Sequence, residues 1–139
     1  MKFTRTASAN WKGTGMEGSG TVTTQSNILN NTPSSFKARF EDGTGTNPEE
    51  LIGAAHAACF TMQLSFLLSE EGHTPGNLNA KASVTFEDGT ITGIHLDLEG
   101  TVAGIDAATF TTIAEKAKTI CPISKLFNTT ITLTTTLVP

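Results

Sequence analysis

Basic stretches are missing from this chain of 139 residues, and so is any dense cluster of cysteine and histidine. Nine Lys and Arg stand against 13 Asp and Glu, a formal net charge of −4. Nowhere are the basic residues concentrated, which argues against the positively charged face that nucleic-acid binding requires. The only two cysteines, Cys59 and Cys121, lack neighbours at metal-ligand spacing, so no metal site is expected. No apolar run follows the charged start Met1-Lys2-Phe3-Thr4-Arg5, so no secretory signal is visible and the expected location is cytoplasmic. Repeats and linkers are also lacking, and the length suits one domain, 1–139, with one substantial core. A reducing compartment disfavours a structural disulfide. The two cysteines are then either small buried hydrophobes or a redox pair, and composition alone favours the first.

What is present is one long apolar stretch, and the chain is organised around it. Residues 47–72 read as a helix with legible ends. Asn47 is a good N-cap, and Pro48 sits at the first helical position, where its missing N–H costs nothing. Glu49 and Glu50 put negative charge in the first turn, and Glu50 is spaced to close a capping box. Gly72 is placed for a left-handed C-cap. Between the caps, Leu51 to Leu68 is apolar on nearly every face, broken by His56, Thr61, Gln63 and Ser65. Such a helix is either a membrane span or the buried axis of a soluble fold. The acidic residues at both ends, the absence of basic ones there and the polar side chains mid-run favour the buried axis, with no membrane involved.

Around it, residues 2–11 and 21–25 read as two strands joined through a glycine-rich turn. Asn30, Asn31 and Pro33 form another turn. Phe36 to Phe40 reads as a short strand, with Phe36, Ala38 and Phe40 on one side and Lys37 and Arg39 on the other. Beyond the helix, 79–87 and 91–102 alternate clearly and flank Asp88-Gly89, a tight-turn signal, so they form a hairpin. Asp106 caps a second helix over 107–120, whose Phe110, Ile113, Ala114 and Ala117 follow the helical period. Pro122 breaks it, one more helical turn follows, and 129–138 is a final Thr-rich strand. This order predicts an α+β fold with a mostly antiparallel sheet of about six strands, a long buried central helix and a second helix. So few elements struggle to cover a helix apolar all round, and packing of two central helices in a homodimer would solve this.

Chemistry centres on the cysteines. In mid-helix, among Ala57, Ala58 and Phe60, Cys59 is expected to be inert unless a cation stabilises its thiolate. His56, three residues earlier, can face it, and Arg39 is a second source of charge; the plain alternatives are a core histidine and a solvated arginine. Cys121 lies at the helix break made by Pro122. Whether it reaches Cys59 depends on a Cα separation of roughly 4.4–6.8 Å. Glu49, ten residues before Cys59, lies about 15 Å up a straight helix and on another side. It acts on that thiol only through Arg39, a dimer interface or a bend; otherwise it serves the helix dipole.

The run Asn47-Pro48-Glu49-Glu50-Leu51-Ile52-Gly53-Ala54-Ala55-His56-Ala57-Ala58-Cys59-Phe60 closely resembles the signature of the osmotically inducible protein C (OsmC) family. These proteins are relatives of the organic hydroperoxide resistance (Ohr) proteins. Cys121-Pro122-Ile123-Ser124 is similar to the second family motif, usually Cys-Pro-Val-Ser. Trp11-Lys12-Gly13, Arg39 and Gly104-Ile105-Asp106 agree. His56 and the Arg ahead of the helix resemble the OsmC branch more than the Ohr branch. The resemblance implies a thiol peroxidase acting on organic hydroperoxides and, less well, on hydrogen peroxide. By it, Cys59 is the peroxidatic cysteine, Cys121 the resolving one, and Arg39 and Glu49 the polar pair that activates the thiolate. It also implies an intertwined homodimer, a dithiol or lipoyl-type reductant, and no metal, haem or flavin cofactor.

Two other readings stay open. A Cys59–His56 dyad could support acyl transfer or hydrolysis without Cys121. A thiol redox sensor or hydrophobic-ligand-binding module would oxidise or bind once without turnover.

Overall fold

The computed structural model describes residues Met1–Pro139 and contains six strands and four helices. They are distributed over two units, Met1–Leu51 and Ile52–Pro139. The first carries strands β1 (Ala7–Lys12), β2 (Ser19–Thr24) and β3 (Thr32–Ser35), an antiparallel sheet in that order, followed by a short helix α1 (Phe36–Phe40).

Two expectations in this unit are corrected. The turn read at 30–33 gives way to β3 from Thr32, an edge strand and hence one that accommodates Pro33. Phe36 to Phe40, read as a strand, is the helix α1. Five residues are too few to separate a period of two from one of 3.6, because positions 36 and 40 share a face under both. Capping decides between them: the Ser35 hydroxyl accepts from the Ala38 N–H at 3.0 Å. The Phe36 and Phe40 rings then meet at 4.9 Å as an i,i+4 pair.

Helix α2 (Pro48–Glu70) starts in the first unit and continues into the second. Asn47 is its N-cap, its side-chain oxygen accepting from the Glu50 N–H at 2.9 Å while its amide donates to the Ala38 carbonyl. The capping box does not close, because the Glu50 carboxylate instead accepts from the Thr46 hydroxyl at 2.7 Å. At the other end Gly72 has φ 82°, the Gly72 N–H reaches the Ser69 carbonyl and His73 N–H the Leu68 carbonyl. This doubly bonded left-handed stop satisfies two carbonyls that the helix leaves without partners.

The second unit adds β4 (Pro75–Glu87), β5 (Thr90–Val102), α3 (Ala107–Ile120), α4 (Pro122–Leu126) and β6 (Thr130–Leu137). Asp88 and Gly89, at φ 47° and 81°, turn β4 antiparallel onto β5. The chain then crosses through α3 and α4, so β6 returns parallel to β5. The six expected strands thus form two sheets of three rather than one. Phe60, Leu64, Leu67 and Leu68 of α2, Leu96, Leu98 and Val102 of β5, and Phe110, Ile113, Ala114 and Ala117 of α3 form the core.

Burial of α2 is one-sided in the single chain. Gly53, His56, Phe60 and Leu64 are enclosed, but Met62 and Phe66 remain 63% and 59% exposed. The helix is long and apolar enough to cross a membrane, a test that the core helix of a soluble protein also passes.

Candidate active site

Arg39 is in α1, where the helix started by Ser35 turns it toward Glu49 in the first turn of α2. The contact is forked: Arg39 Nη2 donates to Glu49 Oε1 at 2.6 Å, and Nε reaches both carboxylate oxygens at 3.1 and 3.2 Å. Burial pushes the Glu49 carboxyl up, but hydrogen bonds from Arg39 and the backbone, and the guanidinium charge, hold it below the usual range. Such paired, charge-assisted bonds fix the plane of the guanidinium. Trp11, Met16, Phe36, Arg39, Phe40 and Pro48 line an apolar cleft of about 500 Å³.

In the second unit, Cys59 of α2 is partly exposed and Cys121 fully buried; both are free thiols. The backbone of Cys121 is held on both sides: its N–H donates to the Ala117 carbonyl at 2.9 Å, and its carbonyl accepts from the Lys125 N–H at 3.0 Å. It is at once the C-cap of α3 and the N-cap of α4, where Pro122 forces the restart. The Cys121 side chain and the Ile123 N–H both lie beside the Cys59 sulfur, near enough to act on its titration. Burial pushes the Cys59 thiol up, and the Cys121 side chain pushes the same way; the Ile123 N–H opposes them without prevailing.

His56, one helical turn before Cys59, is fully buried. Its Nε2 lies 2.7 Å from Ser124 Oγ, and Nδ1 has no partner. Burial lowers its pKa, keeping the ring neutral. A Cys59–His56 dyad is therefore not formed, which removes the structural basis for a hydrolase. The Phe127 ring stands edge-on to the imidazole at 5.4 Å and 76°.

Of the residues expected from sequence, the structure pairs Arg39 with Glu49 and Cys59 with Cys121, each pair within its own unit. Three contributors were not anticipated from sequence: Ser124, Phe127 and the Ile123 N–H. Ser124 lay in view within Cys121-Pro122-Ile123-Ser124, but no sequence rule pairs it with a histidine 68 residues away. No group of three or more His, Cys, Asp or Glu gathers as a metal site.

A family model described as OsmC-like protein matches residues 41–136. The chain is 47% identical over 137 residues to peroxiredoxin OsmC of Escherichia coli (strain K12), covering 96% of each. It is 35% identical over 99 residues to an organic hydroperoxide resistance protein of Xanthomonas axonopodis pv. citri, covering 68% of each. Its fold is similar to that of the organic hydroperoxide resistance protein OhrB of Bacillus subtilis, with a TM-score of 0.65 at 24% identity over 96% of this chain and 98% of the other. The chain belongs to the OsmC family.

Proposed function

We propose that this chain is a thiol-dependent peroxidase that reduces organic hydroperoxides, and hydrogen peroxide less well, with Cys59 peroxidatic and Cys121 resolving. The observation that carries the reading is the presence of two free thiols side by side, in a chain 47% identical to a peroxiredoxin. In the first step the Cys59 thiolate attacks the terminal peroxide oxygen. The O–O bond breaks, the alcohol leaves after taking a proton, and Cys59 becomes a sulfenic acid. The Cys121 thiolate then attacks that sulfur, the S–O bond breaks, and hydroxide leaves as water once protonated. A dithiol of lipoyl type reduces the disulfide by two successive exchanges and is itself oxidised to a disulfide.

Arg39 and Glu49 are the activating pair in this reading. The influences on Cys59 within its own unit leave the thiol above its ordinary pKa, so thiolate formation near neutrality calls for a cation. Arg39, oriented by Glu49 and lining an apolar cleft, is suited to stabilise the thiolate and to hydrogen-bond a peroxide with an apolar tail. The functional unit is a soluble homodimer of the 1–139 domain, in which exposed Met62 and Phe66 on α2 offer an apolar face to a second copy, and its location is cytoplasmic.

Steady-state reduction of tert-butyl hydroperoxide and hydrogen peroxide with dihydrolipoamide tests this. Wild type should turn over many times, Cys59→Ser not at all, and Cys121→Ser only a few times before inactivation. Oxidation without turnover in wild type would instead favour a redox sensor, and full activity in Cys59→Ser would end the peroxidase reading.

A further inference from the structure

We propose that the buried His56–Ser124 hydrogen bond is a latch that holds the resolving segment in register against the helix carrying Cys59, and so sets the rate of disulfide formation. The proposal rests on the two-cysteine reading above and adds two positioning residues to it.

The segment from Cys121 to Phe127 meets α2 over a single helical turn. At one end of that turn Cys59 has the Cys121 side chain and the Ile123 N–H beside it. At the other, His56 binds the Ser124 hydroxyl at 2.7 Å and receives the edge of Phe127. His56 is 0% exposed and Ser124 9%, so the bond is shielded from water. Stability alone does not account for a histidine here. Enclosing an imidazole with Nδ1 unpartnered costs free energy that an aliphatic side chain would not. A polar bond does what an aliphatic contact cannot: it has a preferred length and direction, so it fixes where α4 sits along α2. Apolar surfaces slide at little cost.

Register matters because a disulfide tolerates little error in sulfur position. Cys121 is anchored on its N-terminal side by α3, whose Phe110, Ile113, Ala114 and Ala117 lie in the core. On its C-terminal side α4 has only five residues, of which Ser124 alone is buried. The latch is thus the buried side-chain tether of α4 itself, before the chain is held again by the pairing of β6 with β5. With the bond made, Cys121 attacks the sulfenic sulfur from a held position; with it broken, the attack must await a chance alignment. Neither His56 nor Ser124 has a role in the first step, so peroxide cleavage should proceed at its normal rate. The lifetime of the sulfenic acid then lengthens, and a second peroxide has more time to convert it to the sulfinic acid.

Rapid-mixing kinetics on the reduced full-length protein separate the two steps. Peroxide consumption in a single turnover reports sulfenic acid formation, and acid-quenched thiol counting reports disulfide formation. For Ser124→Ala and His56→Leu we expect disulfide formation to slow about tenfold, the loss of one shielded hydrogen bond, with the peroxide step unchanged within about twofold. Inactivation by excess cumene hydroperoxide should occur at correspondingly lower peroxide concentration. Ser124→Thr keeps the hydroxyl and His56→Gln offers an amide at a similar reach, so both should recover most of the lost rate. Ser124→Ala removes a single atom, which keeps the test valid if His56→Leu fails to fold. Unchanged disulfide formation in Ser124→Ala would overturn the latch. So would an equal slowing of both steps, which would show a merely structural role, or a failure of Ser124→Thr to recover the rate. Absence of any disulfide in wild type would overturn the two-cysteine reading itself.

Discussion

A thiol inside an apolar helix is a poor nucleophile, and Cys59 illustrates why. Burial and the Cys121 side chain both favour its protonated form, and one backbone N–H is too little to reverse them. In the proposed reaction this neighbouring Cys121 is the sulfur that attacks in the step that follows. If Arg39 supplies the missing positive charge, Arg39→Ala should raise the thiol pKa and slow alkylation of Cys59 by iodoacetamide at neutral pH about tenfold. As the pH rises until the thiol is ionised in both proteins, the two alkylation rates should converge. An identical rate at neutral pH would remove Arg39 from the activation scheme. His56 makes a separate prediction. Its folded pKa is lowered by burial, so below the ordinary histidine value of about 6.5 the unfolded chain binds a proton that the folded one refuses. Stability is therefore full above that pH and falls below it, by up to about 1.4 kcal/mol per pH unit, and His56→Gln should flatten that slope in urea titrations.

Among the elements, those with strong ends were legible in the sequence. Asn47, Pro48 and Gly72 delimit α2, Asp106 caps α3, and Asp88-Gly89 makes the β4–β5 turn, each by a backbone requirement that few residue types meet. The elements that escaped were those whose identity is settled by one local bond or by partners far away. Ser35 decides between helix and strand for Phe36–Phe40 through a single hydroxyl. The parallel pairing of β6 follows from the crossover and not from its Thr-rich alternation, which fits either direction. The site divides in the same way. Cys59 and Cys121 stood out from their motifs, whereas their contact and the Ser124 latch depend on how α4 docks. Packing of α3 on β5 can be tested directly. A methyl group at Gly100 would run into the Phe110 ring. Gly100→Ala should destabilise the protein by about 1–3 kcal/mol in chemical denaturation, and Phe110→Leu in the same chain should recover part of it.

At the scale of the whole molecule, a single chain leaves much apolar surface uncovered. Met62 and Phe66 of α2 stand open, and in the first unit Trp11, Met16 and Phe40 are exposed. In the proposed dimer, a second copy covering these surfaces would turn a one-sided helix into a buried axis. Sedimentation should then show wild type as a dimer and Phe66→Glu shifted toward monomer with reduced peroxidase activity. A wild type that sediments as a monomer at all concentrations would contradict the dimer.

In the proposed reaction one peroxide makes one bond between Cys59 and Cys121 within a single chain. Reduced protein treated with one equivalent of cumene hydroperoxide and analysed by intact mass and non-reducing peptide mapping tests it most directly. Each chain should lose two hydrogens and yield a single linked peptide pair joining Cys59 to Cys121. A persistent sulfenic acid on Cys59, a link between chains, or no change in mass would contradict it.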